Sequence, residues 1–142
     1  MKKIFSLMIC ALAVCTVITA QTMNIRVGQV TYQFPAEQTG VMNYTDGSTL
    51  SVMNKVFALT EVEEMYVDET TVVDNMVSVA YDESSAVVTV AGNVAQYLTI
   101  TTNGAHVNIA QSEDVVEEIT YTLSGSSTDG EFYMSGSYKA TV

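Results

Sequence analysis

Tryptophan is absent, proline and histidine occur once each, and only two cysteines are present in 142 residues. Each scarcity removes a class of chemistry. Cys10 and Cys15 both fall inside an apolar run near the N-terminus. The chain beyond that run therefore has no disulfide, no thiolate metal ligand and no cysteine nucleophile. Basic residues are nearly as rare. After Ala20 only Arg26, Lys55 and Lys139 oppose all 16 acidic residues, which leaves a net charge of −13. Such a surface repels nucleic acid and anionic lipid, and it suits solubility outside the cell or cation binding. With His106 as the sole histidine, any Ser-His-Asp arrangement would have to use it. Pro35 stands alone, so no proline-rich linker divides the chain. A hydrophobic content of 48% argues against disorder.

What is present begins with an export signal. Lys2 and Lys3 form a positive start, an apolar run extends from Ile4 to Ile18, and Ile18-Thr19-Ala20 precedes Gln21 as a small-residue cleavage site. The run is too short to span a bilayer. Leu12-Ala13-Val14-Cys15 loosely resembles a lipobox, but Val14 is larger than the residue usual before a lipidated cysteine. Cleavage after Ala20 is the better reading. It places the protein in the periplasm, at the cell surface or outside the cell, rather than as a lipoprotein anchored at Cys15.

Period-2 alternation dominates the remainder. A Gly28-Gln29 turn sets Val27 against Val30, Ile25 against Tyr32 and Met23 against Phe34. A three-residue loop at Asp46-Gly47-Ser48 sets Tyr44 against Leu50 and Met42 against Val52. A turn at Asn54-Lys55 then sets Val52 against Phe57, completing a meander. Further on, a loop at residues 82–85 pairs Tyr81 with Ala86, Val79 with Val88 and Val77 with Val90. An Asn103-Gly104 turn pairs Ile100 with Val107 and places His106 opposite Thr101. Only Thr60 to Tyr66 reads as helical, one or two turns capped by Thr60 with Glu63 reaching back.

These patterns predict an all-β protein, antiparallel hairpins and a meander leading into the start of a β-helix or a sandwich-like unit. The domains read as a signal peptide over 1–20, a small β-meander module over 21–74, and a second β unit over 75–142. Within the last, Tyr121-Thr122-Leu123-Ser124-Gly125 recurs as Phe132-Tyr133-Met134-Ser135-Gly136. Short strands with Ser/Gly corners are what a solenoid uses, so 119–142 reads as the start of a truncated β-helix and the chain as a fragment. Its final strand would present an open edge through which 21–142 could self-associate.

A resemblance sharpens this reading. The residues that carry it are Thr22-Met23-Asn24, Val30 to Pro35, Glu64-Met65-Tyr66-Val67-Asp68, Val90 to Tyr97, Gly104-Ala105-His106-Val107, Glu118 to Gly125 and Thr128 to Phe132. In this order they resemble the N-terminal part of secreted bacterial carbohydrate-binding domain proteins of gut anaerobes. That family carries a polysaccharide-lyase-like right-handed β-helix. The resemblance implies a pectin-like or cellulosic polysaccharide as partner, and calcium as a bound ion.

From the residues themselves, the candidate sugar-binding positions are tyrosines, which can present a ring face to a pyranose. Tyr32, Tyr44 and Tyr81 fall on apolar faces and read as core, leaving Tyr97, Tyr133 and Tyr138 as outward platforms. His106 reads as an exposed strand residue. The acidic groups Glu61, Glu63, Glu64 and Glu113, Asp114, Glu117, Glu118 lack calcium-loop spacing and read as solvated faces. The function expected is a secreted, non-catalytic carbohydrate-binding module that caps or presents a β-helix. The alternative is a surface adhesion or structural β-module that binds protein rather than sugar. Export as read predicts that N-terminal sequencing of secreted material begins at Gln21; a modified Cys15 or an intact Met1 there would contradict it.

Overall fold

The computed structural model describes residues 20–136 and 139–142. Thirteen strands and one helical turn are present: β1 Thr22–Val27, β2 Val30–Pro35, β3 Asn43–Thr45, β4 Thr49–Val52, β5 Lys55–Ala58, β6 Glu64–Asp68, β7 Met76–Asp82, β8 Ser85–Ala91, α1 Gly92–Ala95, β9 Leu98–Asn103, β10 His106–Gln111, β11 Ile119–Ser126, β12 Glu131–Ser135 and β13 Ala140–Thr141. The fold is all-β, as the alternation predicts.

Seven strands form one sheet in the order β13-β11-β7-β8-β2-β1-β6, and two three-stranded sheets follow the orders β3-β4-β5 and β12-β10-β9. The large sheet has one apolar face. Ile25, Tyr32, Phe34, Val77, Val79, Val88, Val90, Ile119 and Tyr121 alternate onto it and are buried. Both small sheets lie against that face. Phe57 of β5 meets Tyr32 edge-on at 5.1 Å and Phe34 at 6.1 Å between ring centroids. Phe132 of β12 meets Tyr121 of β11 at 5.8 Å. Lys55 secures the first of these contacts, with its ammonium over the Tyr32 ring at 5.2 Å and donating to the Leu98 carbonyl at 2.8 Å. Burial lowers the pKa of Lys55 and pushes the Tyr32 hydroxyl up to about 12. Strands from both sides of Asp74-Asn75 belong to the large sheet, because β2 runs parallel to β8.

Several registers agree with the sequence reading. Val27↔Val30, Ile25↔Tyr32 and Met23↔Phe34 pair across the Gly28 turn, and Val77↔Val90, Val79↔Val88 and Tyr81↔Ala86 pair across the β7–β8 turn. Tyr44 pairs with Leu50 as expected, but β3 is a sheet edge and Tyr44 is 65% exposed rather than core. Met42 lies outside β3 and is exposed. Tyr81 is half-buried, and its hydroxyl donates to the Glu131 carbonyl at 3.1 Å.

Two turns sit one residue from their expected places, moving the partner by two and leaving the faces unchanged. Met53 and Asn54, both at positive φ, form the β4–β5 turn, so Val52 opposes Lys55 and Leu50 opposes Phe57. Gly104-Ala105 forms the β9–β10 turn, so Ile100 opposes Ile109 and His106 opposes Asn103 instead of Thr101. The expected helix over Thr60 to Tyr66 is replaced by β6, which pairs with β1 through Ile25↔Met65 and Met23↔Val67. A capping-box spelling is a local preference, and an available sheet edge outweighs it.

The helical turn occurs at α1, where Gly92 is buried against β2. A Cβ there would lie 2.9 Å from the Gln33 carbonyl and closer still to the Phe34 ring. Gly92→Ala should therefore destabilise the fold by about 1–3 kcal/mol, the usual cost of overpacking a filled core. A denaturant midpoint equal to wild type would contradict this packing.

Candidate functional site

The β9-β10-β12 sheet buries one face and presents the other. Leu98, Val107 and Ile109 point into the core with Phe132 and Met134 packed beside them. Alternation then sends Thr101, Asn103, His106, Asn108, Glu131 and Tyr133 outward. Parallel pairing of β10 with β12 sets His106 beside Glu131 and Asn108 beside Tyr133, while antiparallel pairing with β9 sets Asn103 beside His106 and Thr101 beside Asn108. Two polar rows result: Asn103–His106–Glu131 and Thr101–Asn108–Tyr133. Tyr133 is 55% exposed on this face. A groove of about 240 Å3 runs beside it, lined by these outward side chains together with Thr102 and Val107. An aromatic ring flanked by amide, hydroxyl and carboxylate groups can stack on a sugar ring and bond its hydroxyls.

His106 closes one end of the groove. Its Nδ1 lies 3.1 Å from Glu131 Oε2 and its Nε2 3.5 Å from Asp129 Oδ2. Asp129 is held by a turn in which its own backbone N–H donates to Ser127 Oγ at 3.2 Å, and the Ser127 hydroxyl donates to the Glu83 carbonyl. Hydrogen bonds to Glu131 first, and to Asp129 second, raise the His106 pKa above its ordinary value.

The three expected tyrosine platforms have different settings. Tyr133 is outward. Tyr97 is half-buried against the core just after α1, where its carbonyl accepts from the Ser112 N–H at 2.8 Å. Tyr138 lies outside the described residues. Sequence reasoning missed the neighbours of Tyr133, because the β10–β12 pairing joins positions 25 residues apart with no turn to signal it.

The acidic clusters are spent locally. Glu63 and Glu64 pair with Arg26 at 3.3 and 3.2 Å, Glu117 accepts from Asn75 Nδ2 at 2.9 Å, and Asp114 accepts from the Ser112 hydroxyl. Among the described residues no group of three His, Cys, Asp or Glu side chains converges on a metal position. Also among the described residues, no helix is long and apolar enough to cross a membrane.

A raised His106 pKa fixes the sign of its linkage. The imidazolium's contribution to stability is complete below the unfolded value and is lost as pH rises through the folded one. An NMR titration should place the His106 pKa above about 6.5, and Glu131→Gln should bring it down. A wild-type value at or below that of the unfolded chain would contradict the contacts with both carboxylates.

No family model, curated protein or solved structure matches this chain in comparisons with known proteins.

Proposed function

We propose that the chain is an exported, non-catalytic carbohydrate-binding module whose ligand lies across the outward face of β9, β10 and β12. The observation that carries this reading is Tyr133, a large ring left exposed beside Asn108 and Thr101 along a groove. An exposed tyrosine on a hydroxyl- and amide-rich sheet face can offer its ring to a pyranose. The non-catalytic part of the reading draws on His106. Both of its ring nitrogens face carboxylates, and among the described residues no hydroxyl nucleophile is hydrogen-bonded to it.

The same reading makes this chain the N-terminal capping or presenting part of a β-helix polysaccharide-binding protein. Its support is the way strands are added. β11 lies parallel on β7, β13 lies parallel on β11, and β12 lies parallel on β10 in the facing sheet. Ile119 opposes Ala140, an advance of 21 residues, which is within the coil length of short solenoids. A right-handed β-helix adds strands in this manner, and a hairpin-rich unit at its start would cover the open end.

Binding to a panel of insoluble and soluble polysaccharides tests the function. Retention on at least one glycan is expected, with Tyr133→Ala weakening it about tenfold or more, a loss of about 1.4 kcal/mol. Because Tyr133 is exposed, the substitution should leave the unfolding free energy within about 0.5 kcal/mol of wild type. Retention unchanged in Tyr133→Ala would remove this face as the site. Failure to bind any glycan would favour the protein-binding adhesion module instead.

A further inference from the structure

We infer that the Tyr133 face selects uncharged polysaccharide and rejects uronate-rich polymer, with Glu131 and Asp129 as the specificity-determining residues. The inference rests on the glycan-binding reading above. Its starting point is the sign of the charges that surround the platform. The groove beside Tyr133 includes Glu131 and no lysine or arginine. On the other side of His106 a second groove, of about 270 Å3, includes Glu83 and Asp129 and again no lysine or arginine.

None of the three basic side chains among the described residues lines either groove. Arg26 is paired with Glu63 and Glu64 on the large sheet. Lys55 donates to the Leu98 carbonyl. Lys139 follows the C-terminal end of β12, whereas Glu131 begins that strand. Recognition of a sugar carboxylate calls for a cationic donor, most effectively a bidentate one. Among the described residues that line the two grooves, the one that can become cationic is His106, whose imidazolium already faces two carboxylates. Together with them it carries −1 when protonated and −2 when neutral, so the sign against an anionic ligand is the same at either pH.

Distance makes the charge effective. Glu131 and Tyr133 point outward two residues apart on one strand, roughly 7 Å at strand rise. A uronate stacked on Tyr133 would sit within the Debye length of about 10 Å at 0.1 M salt. A neutral sugar meets no such repulsion, and the carboxylate oxygens that do not face His106 can accept hydrogen bonds from its hydroxyls. The carboxylates thus permit one ligand class and oppose the other.

Matched polymer pairs isolate charge from backbone chemistry: hydroxyethylcellulose against carboxymethylcellulose, and fully methyl-esterified against de-esterified homogalacturonan. Binding is measured in EDTA at low salt, so that no divalent ion bridges protein and polymer. In whichever pair binds, the uncharged member should bind at least tenfold more tightly, and the gap should narrow in 0.5 M NaCl. Asp129→Asn/Glu131→Gln should reduce the neutral-to-charged affinity ratio at least threefold; the wild-type salt dependence tests the same point without any substitution. Equal or tighter binding of the charged member in EDTA would overturn the selectivity alone. Binding to no member of either pair, and to nothing in the wider panel, would overturn the glycan reading and this inference with it.

Discussion

The β7–β8 hairpin is the constraint from which the other parts take their places. Val77, Val79, Val88 and Val90 pair across it and are completely buried, forming a continuous branched apolar surface at the middle of the large sheet. Its turn is local and tight, with Glu83 at positive φ. Both of its outer edges accept parallel partners, β2 on one side and β11 on the other. Parallel neighbours cannot be joined by a short turn, so the chain must travel before it returns. Between β2 and β8 that journey contains the β3-β4-β5 sheet, and between β7 and β11 it contains the β9–β10 hairpin. The β3-β4-β5 sheet and the β9–β10 hairpin are thus carried in the crossovers and laid back on the apolar face whose strands they connect, and β12, which follows β11, completes the second small sheet by pairing with β10.

This arrangement explains why the candidate site is polar although it stands on packed strands. The β9–β10 hairpin is seated by Val107 and Ile109 on one side, while the Gly104 carbonyl at its turn accepts from the Ala86 N–H at 3.0 Å and from Gln29 Nε2 at 3.1 Å. β12 is attached to β10 by parallel pairing and to the large sheet by Phe132 against Tyr121. With the inward side chains fixed by the core, alternation leaves Thr101, Asn108, Tyr133, His106 and Glu131 on the outer surface in set order. A binding face on packed strands holds its groups in place better than one on a loop. The strong negative charge of the chain then colours what such a face can accept.

Much of the antiparallel structure was legible in the residues. Gly28-Gln29 spells a turn in which only the first residue needs positive φ, and the structure uses it so. Asn103-Gly104 spells a turn with equal clarity, yet Gly104 takes the first turn position. That placement sets its carbonyl against β8 and Gln29, contacts 18 and 75 residues away that no window reveals. At β4–β5 the shift to Met53-Asn54 brings Lys55 to the Leu98 carbonyl and Phe57 opposite Leu50, so burial and a distant acceptor set the register. Thr60 to Tyr66 carried a helix-cap spelling that an open sheet edge overrode. The parallel pairs were the least legible feature, since alternation gives the face of each strand and says nothing about its distant neighbour. For the site this meant that Tyr133 was recognisable as an outward ring, whereas Asn108, Thr101 and the His106 carboxylates were not recognisable as its company.

The dependence of the whole on the central hairpin is open to direct measurement by native-state amide hydrogen exchange. The amides of Val77, Val79, Val88 and Val90 should exchange only through global unfolding, with those of β11 and β2 close behind and those of β3 and β6 far faster. Exchange of the β7–β8 amides by a cheaper local opening, while the β9–β10 hairpin stays protected, would show that the small sheet stands without the hairpin and would contradict the account.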